Sequence, residues 1–393
     1  MKNPSLLRLL QLCVFLSGGV ALILEAVYQK YLATLIGSTT PAATIVLAVY
    51  FVGLTLGALL CPKKTARANL RLAGLELIIA GWSLVLSLFF YPSYQLLAGL
   101  LAAWSDHPFT LGLARWLIAA IWILPPTIAM GAHLPTLAGV LEERGLATSR
   151  LLTRLYAINV AGACFFTLAT PFLLFQPLGL EGALYVSAAI GLAVALALFL
   201  GLRRPADPAA APAPELPAAA DATSASTAGV DRWPFALAAL SGFVVFALEV
   251  LWTHLISSVL GASTYSFSIL LAVVLFSLFM GGRQVERAAP AGLERSQAYL
   301  ARMLGTLLVA LPLTGALWPY AGRALAIFGG RLESFWAGEL LKLAAAYLLI
   351  RPVARPAGTI FPLSFHALSS GRAPSSRQLG FFYAVNAFGC VAG

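Results

Sequence analysis

The stretch SGGVALILE at residues 17–25 returns as SGFVVFALE at residues 241–249, 224 positions further on. The echo extends outward from it. Gly37 matches Gly261, Thr40 matches Thr264 and Gly57 matches Gly281 at the same offset. Later matches share an offset of 227: Pro125 with Pro352, Gly131 with Gly358, Pro135 with Pro362. Tyr156, Asn159 and Gly162 likewise match Tyr383, Asn386 and Gly389. A near-constant spacing over so many Gly, Pro and polar positions marks an internal duplication.

The duplicated unit is apolar. Hydrophobic residues make up 60% of the chain and charged residues 10%, against about 25% charged in an average soluble domain. Apolar segments fall at 9–36, 41–61, 69–91, 109–140, 151–175 and 179–202, then at 234–261, 265–282, 297–320, 335–350, 357–370 and 379–393. The segment at 357–370 is read as a continuation of its predecessor past Pro352 and Pro356. A run of about 20 apolar residues crosses a hydrocarbon core, and in lipid it must be a helix that satisfies its own backbone. The expected fold is therefore all-α: a polytopic integral membrane protein of two parallel repeats with about six transmembrane helices each. The second repeat stops at Gly393, soon after Asn386, whereas about 40 residues follow Asn159 in the first. The second repeat is thus expected to be truncated and the sequence to be part of a longer protein.

Three regions follow: a first repeat at 1–202, a Pro/Ala-rich linker at 203–232, and a second, incomplete repeat at 233–393. Pro205, Pro208, Pro212, Pro214 and Pro217 keep the linker from packing a core. Lys2 and Arg8 precede an apolar stretch with no small-residue cleavage site, which reads as a retained signal anchor. Lys and Arg concentrate in alternate connections, for example Lys63, Lys64 and Arg67, then Arg144, Arg150 and Arg154, then Arg203 and Arg204. The positive-inside rule then puts the N-terminus and linker in the cytoplasm, and the protein in the cell (inner) membrane. The net charge of +10 is explained by topology, without nucleic acid.

Polar residues inside the apolar segments are the candidate site. A charge at mid-membrane costs about 2.5–3.5 kcal/mol on insertion scales. Glu25 and Glu249 occupy equivalent places in the first helix of each repeat; Arg115 and Lys342 do so in the fourth. They form ion pairs between first and fourth helices, or the carboxylates hold a proton or a cationic ligand, or the side chains snorkel on the lipid-facing side. Asn159 and Asn386, with Tyr156 and Tyr383 one turn earlier, either bond across helices or bind ligand, and Gly162 and Gly389 permit close helix approach. Glu76 is expected to pair with the basic loop beside it. His133 has Ile360 at the equivalent position, which argues against a symmetric metal site. Pro125, Pro126 and Pro135 are expected to break the fourth helix, as Pro352, Pro356 and Pro362 do its counterpart.

Cys13, Cys61, Cys164 and Cys390 are scattered and read as small core residues. The aspartates are Asp106, Asp207, Asp221 and Asp231, all in loops or the linker. There is no nucleotide-binding glycine motif and no soluble stretch to hold one, so neither catalytic residue nor cofactor is expected within this sequence.

The pattern S-G-x-x-x-x-x-L-E, the following Gly-x-(Ser/Thr)-Thr turn, the MGAHLP run at 130–135 and the RLYAINVAG run at 154–162 resemble the membrane portion of the fused major facilitator/spermidine synthase family. The second copies read AGTIFP at 357–362 and FFYAVNAFG at 381–389. That resemblance implies a cytoplasmic spermidine synthase-like domain of Rossmann-like fold after the membrane helices, transferring an aminopropyl group to putrescine. None of that domain's motifs lies in these residues. The expected role is then to anchor such an enzyme and handle a cationic small molecule in the lipid bilayer. Alternatives are a major-facilitator-like secondary transporter with a site between the repeats, and a non-catalytic membrane scaffold.

Overall fold

A computed structural model describes residues 4–36, 40–60, 67–203, 232–261, 263–288, 293–329, 334–368 and 375–393. The linker at 203–232 lies outside these residues except at its two ends. The first repeat comprises α1 (Pro4–Ile36), α2 (Thr40–Leu59), α3 (Ala68–Ala103), α4 (Pro108–Glu143), α5 (Ser149–Ala169) and α6 (Phe175–Gly201), with a wider helical turn at Thr170–Leu174 before α6. The second comprises α7 (Trp233–Leu260), α8 (Thr264–Ala288), α9 (Leu293–Gly329), α10 (Phe335–Leu368) and α11 (Ser376–Ala392). Prolines open α1 and α4, where a missing N–H costs nothing. The Thr148 hydroxyl caps α5 by accepting from the Leu151 amide, and Ser375 and Gln378 form a reciprocal capping box on α11.

Seven helical stretches are long and apolar enough to cross a membrane, and α2 adds a shorter apolar one. Large apolar side chains face outward, such as Phe109 at 85% exposed and Leu308 at 78%. Such a surface belongs in lipid. The chain is an all-α polytopic membrane protein of two parallel repeats.

Each repeat packs by the same pairs: α1 on α5 and α7 on α11, α2 on α4 and α8 on α10, α3 on α4 and α9 on α10. The seam between repeats is reciprocal, since α5 lies on α8 and α11 lies on α2. In the first repeat α6 covers α3 and α1; among the described residues the second repeat has no equivalent of α6. One hydrophobic cluster lies largely within the first repeat, around Tyr28, Tyr31, Phe90 and Ile123. Another lies largely within the second, around Trp252 and Trp318. A third joins them, with Leu10, Leu141 and Leu155 against Phe361, Phe365 and Phe382.

The prolines do not break their helices. α4 runs through Pro125, Pro126 and Pro135, and α10 through Pro352, Pro356 and Pro362. A proline at Pro126 leaves the Trp122 carbonyl, four residues back, without its helical donor. The Trp82 indole Nε1 on α3 donates to that carbonyl at 2.8 Å. A neighbouring helix thus supplies the missing bond, which lets a membrane helix keep a proline. The stretch at 357–370 does continue its predecessor, as one helix to Leu368. The break that does occur is at Gly179, with φ 69° and ψ −172°, where the chain leaves helical geometry inside α6. A side chain disfavours that conformation, and glycine accepts it.

Candidate functional site

Both repeats line a cavity of about 260 Å³. Six of the eight polar residues singled out by the duplication line it: Glu25, Tyr156 and Asn159 from the first repeat, Glu249, Tyr383 and Asn386 from the second. Their convergence follows from the pairing. α1 and α5 lie together, α7 and α11 lie together, and both couples turn the same face toward the seam.

The asparagines fasten these couples. Asn159 Nδ2 donates to the Val14 carbonyl at 3.1 Å, and Asn386 Nδ2 donates to the Ala238 carbonyl at 2.8 Å. Gly162 and Gly389 sit one turn further on, and a Cβ at either would collide with the Phe15 or Ala239 carbonyl of the facing helix. Helix backbones approach this closely only where a glycine stands. One donor of each asparagine amide is therefore engaged by the facing helix, while both residues still form part of the cavity wall.

Tyr156 packs against Phe361 with ring centroids 5.2 Å apart, and Phe361 against Tyr383 at 6.4 Å. Elsewhere on the wall Phe51 and Phe246 meet edge to face across the seam at 4.9 Å.

Glu25 is 8% exposed, and Glu249, partly buried, is its electrostatic neighbour. Among the described residues neither carboxylate has a salt bridge or a side-chain hydrogen bond, and no Lys or Arg lines the cavity. Of the arrangements the sequence allowed, the ion pair between first and fourth helices does not form among the described residues. Lys342 pairs instead with Glu339 one turn away on α10, at 2.7 Å. Arg115 stays outside the cavity, its Nε buried without a hydrogen-bond partner. In the first repeat the reason is packing: α1 lies along α5 and α6 and scarcely meets α4, so Glu25 faces the other repeat rather than Arg115; in the second, α7 does pack on α10, and Lys342 is held by Glu339 on its own helix.

Glu76 also differs from expectation. Its Oε1 lies 2.9 Å from His133 Nε2, joining α3 to α4; Lys63 and Lys64 of the basic loop lie outside the described residues. Glu76 is wholly buried, and His133, 7% exposed, also lines the cavity. Reading the duplication set this pair aside, because neither residue recurs in the second copy. A signal was present in depth. Glu76 stands eight residues into α3 and His133 ten residues before the end of α4, or about 12 and 15 Å along adjoining antiparallel helices. Among the described residues no cluster of His, Cys, Asp and Glu could hold a metal ion.

No family model matches the sequence, and no curated protein does. Two solved structures are similar at 16% identity. One is an auto-inhibited POT family peptide transporter, with a TM-score of 0.44 over 98% of this chain and 87% of that one. The other is the human organic anion transporter MFSD10 (TETRAN), with a TM-score of 0.43 over 99% of this chain and 96% of that one.

Proposed function

We propose that the cavity between the repeats binds a small organic cation, and that the chain carries it as a major-facilitator-like secondary transporter. One observation carries this reading. Two repeat-equivalent carboxylates, Glu25 and Glu249, line one cavity whose wall holds no Lys or Arg. Isolated negative charge in a membrane interior is costly, and such groups mark ion or substrate pathways. A cationic ligand supplies the countercharge, and the tyrosine faces add attraction for it. A site near the middle of the membrane, between parallel repeats, suits alternating access by rocking one repeat against the other.

The test uses the purified chain in nanodiscs with 1,4-diaminobutane as probe, followed by calorimetry and by uptake into proteoliposomes. Glu25→Gln with Glu249→Gln is expected to weaken binding by about tenfold or more, the usual consequence of removing partners from a desolvated charge contact. Unchanged binding and uptake would remove the carboxylates from the site and the reading with them.

A finer form rests on the motif resemblance. In it the chain is the membrane region of a spermidine synthase-like fusion protein, residues 1–202 and 233–393 are its repeats, and the linker at 203–232 lies in the cytoplasm with the N-terminus. Polyamines are cations, so the same cavity would handle the enzyme's substrate or product. Reading the gene past Gly393 tests it: a glycine-rich strand–turn–helix is expected there, and its absence overturns this form alone. A reporter inserted near Pro212 is expected to signal from the cytoplasm.

A further inference from the structure

Glu76 and His133 are an ionisable pair built into the first repeat only. The positions 224 and 227 residues beyond Glu76 are Leu300 and Met303, and Ile360 stands 227 beyond His133. A packing device shared by the repeats would recur, as Asn159 and Asn386 do; this one does not. The pair is desolvated on both sides, yet incompletely satisfied. The 2.9 Å approach of His133 Nε2 to Glu76 Oε1 lacks the alignment of a good hydrogen bond, and Glu76 Oε2 is buried without any partner. Such a carboxylate is costly to bury unless a positive charge stands beside it, and the imidazole supplies one only when it carries two protons.

His133 also belongs to the wall of the cavity, so its ring connects buried Glu76 to the space that Glu25 and Glu249 face. We propose that the Glu76–His133 pair is a proton-binding site that empties when a cation fills the cavity, so that the protein exchanges a proton for its cationic ligand. This rests on the cation-binding reading above. The physics is competition: imidazolium and ligand are like charges at the wall of one cavity within the helices, and each disfavours the other. In the exchange the N–H bond of the imidazolium breaks, its electron pair stays on nitrogen, and the proton leaves through the cavity to bulk water.

Among the described residues the groups around the pair are few. From α1 the Cys13 thiol is the electrostatic neighbour of Glu76, and Glu25 faces the same cavity. α2 contributes Tyr50, α5 Tyr156 and α11 Tyr383 to the cavity wall. From α6 the polar contact with α3 is Ser187 on Ser83, at 3.1 Å.

The test has two arms on the full chain in nanodiscs. Without ligand, NMR of the imidazole is followed between about pH 5 and 9, the range in which histidine titrates. His133, assigned by its loss in His133→Gln, is expected to titrate; a ring that holds one state throughout overturns the proposal. With 1,4-diaminobutane, affinity is expected to fall about tenfold per pH unit of acidification while His133 binds a proton, as one-for-one linkage requires. His133→Gln and Glu76→Gln are each expected to flatten that slope, and weakly buffered samples of the wild type to release a proton on binding. A slope that survives in both variants overturns the proposal, as does diamine binding without proton release. If His133 titrates but no diamine binds at any pH, the cation-binding reading fails and the exchange with it, while the proton site itself remains. A pair that only braces α3 against α4 would lower thermal stability in the variants and leave the slope unchanged.

Discussion

Asn159 and Gly162 lie one turn apart on α5 and act together on α1. The asparagine amide reaches the Val14 carbonyl, and the glycine lets the Phe15 carbonyl come close enough for that reach. Asn386 and Gly389 repeat the arrangement with Ala238 and Ala239 on α7. Polar contacts of this kind inside membranes are worth about 0.6 to 2 kcal/mol. Asn159→Ala and Asn386→Ala are each expected to destabilise by about 1 kcal/mol, read as lower midpoints of thermal unfolding in detergent. Gly162→Leu is expected to be worse than Asn159→Ala, because it must push two backbones apart. Equal effects would mean that α1 and α5 are not held in register here. These residues were legible in the sequence because they recur at one spacing. Glu76 and His133 occur once, so the repeat did not mark them; their matching depth was the one signal, and nothing in a linear sequence says which neighbouring helix a buried acid will face.

For the helices, existence and order were legible from apolar run length, and the repeat of Pro and Gly supplied their correspondence. Continuity was not. Pro125, Pro126 and Pro135 read locally as a break, but the donor that repairs α4 belongs to Trp82, on another helix and 40 residues earlier in the chain. Likewise α3 continues through Pro92 to Ala103, beyond the expected end at 91. The repair makes a specific coupling. Trp82→Phe strands the Trp122 carbonyl and is expected to cost about 1–3 kcal/mol. Pro126→Ala returns an amide to that carbonyl, so Trp82→Phe is expected to cost less in that background. A double-mutant cycle on unfolding free energy measures the difference; additivity would mean that the indole is not the substitute donor.

In the whole molecule, the seam brings Gly282 on α8 against α5: a Cβ built at Gly282 stands 3.7 Å from Ala157 Cβ. That spacing suits a disulfide. Ala157→Cys with Gly282→Cys is expected to cross-link under mild oxidant, seen as lost thiol reactivity and an internally linked peptide by mass spectrometry. If the repeats rock about the cavity, the link is expected to stop uptake while leaving ligand binding measurable, and reduction to restore transport. Full uptake by the linked protein would place the moving surface elsewhere.

The seam is reciprocal: α5 on α8 answers α11 on α2. Surfaces related in that way are self-complementary, the condition for a twofold pair of identical subunits. A gene for one repeat alone already encodes both halves of the joint, and two such polypeptides could have met as a homodimer before duplication tied them into one chain. Tying them freed each copy to change independently, and an acid and an imidazole on one side only are a specialisation that no symmetric ancestor could have kept to a single subunit.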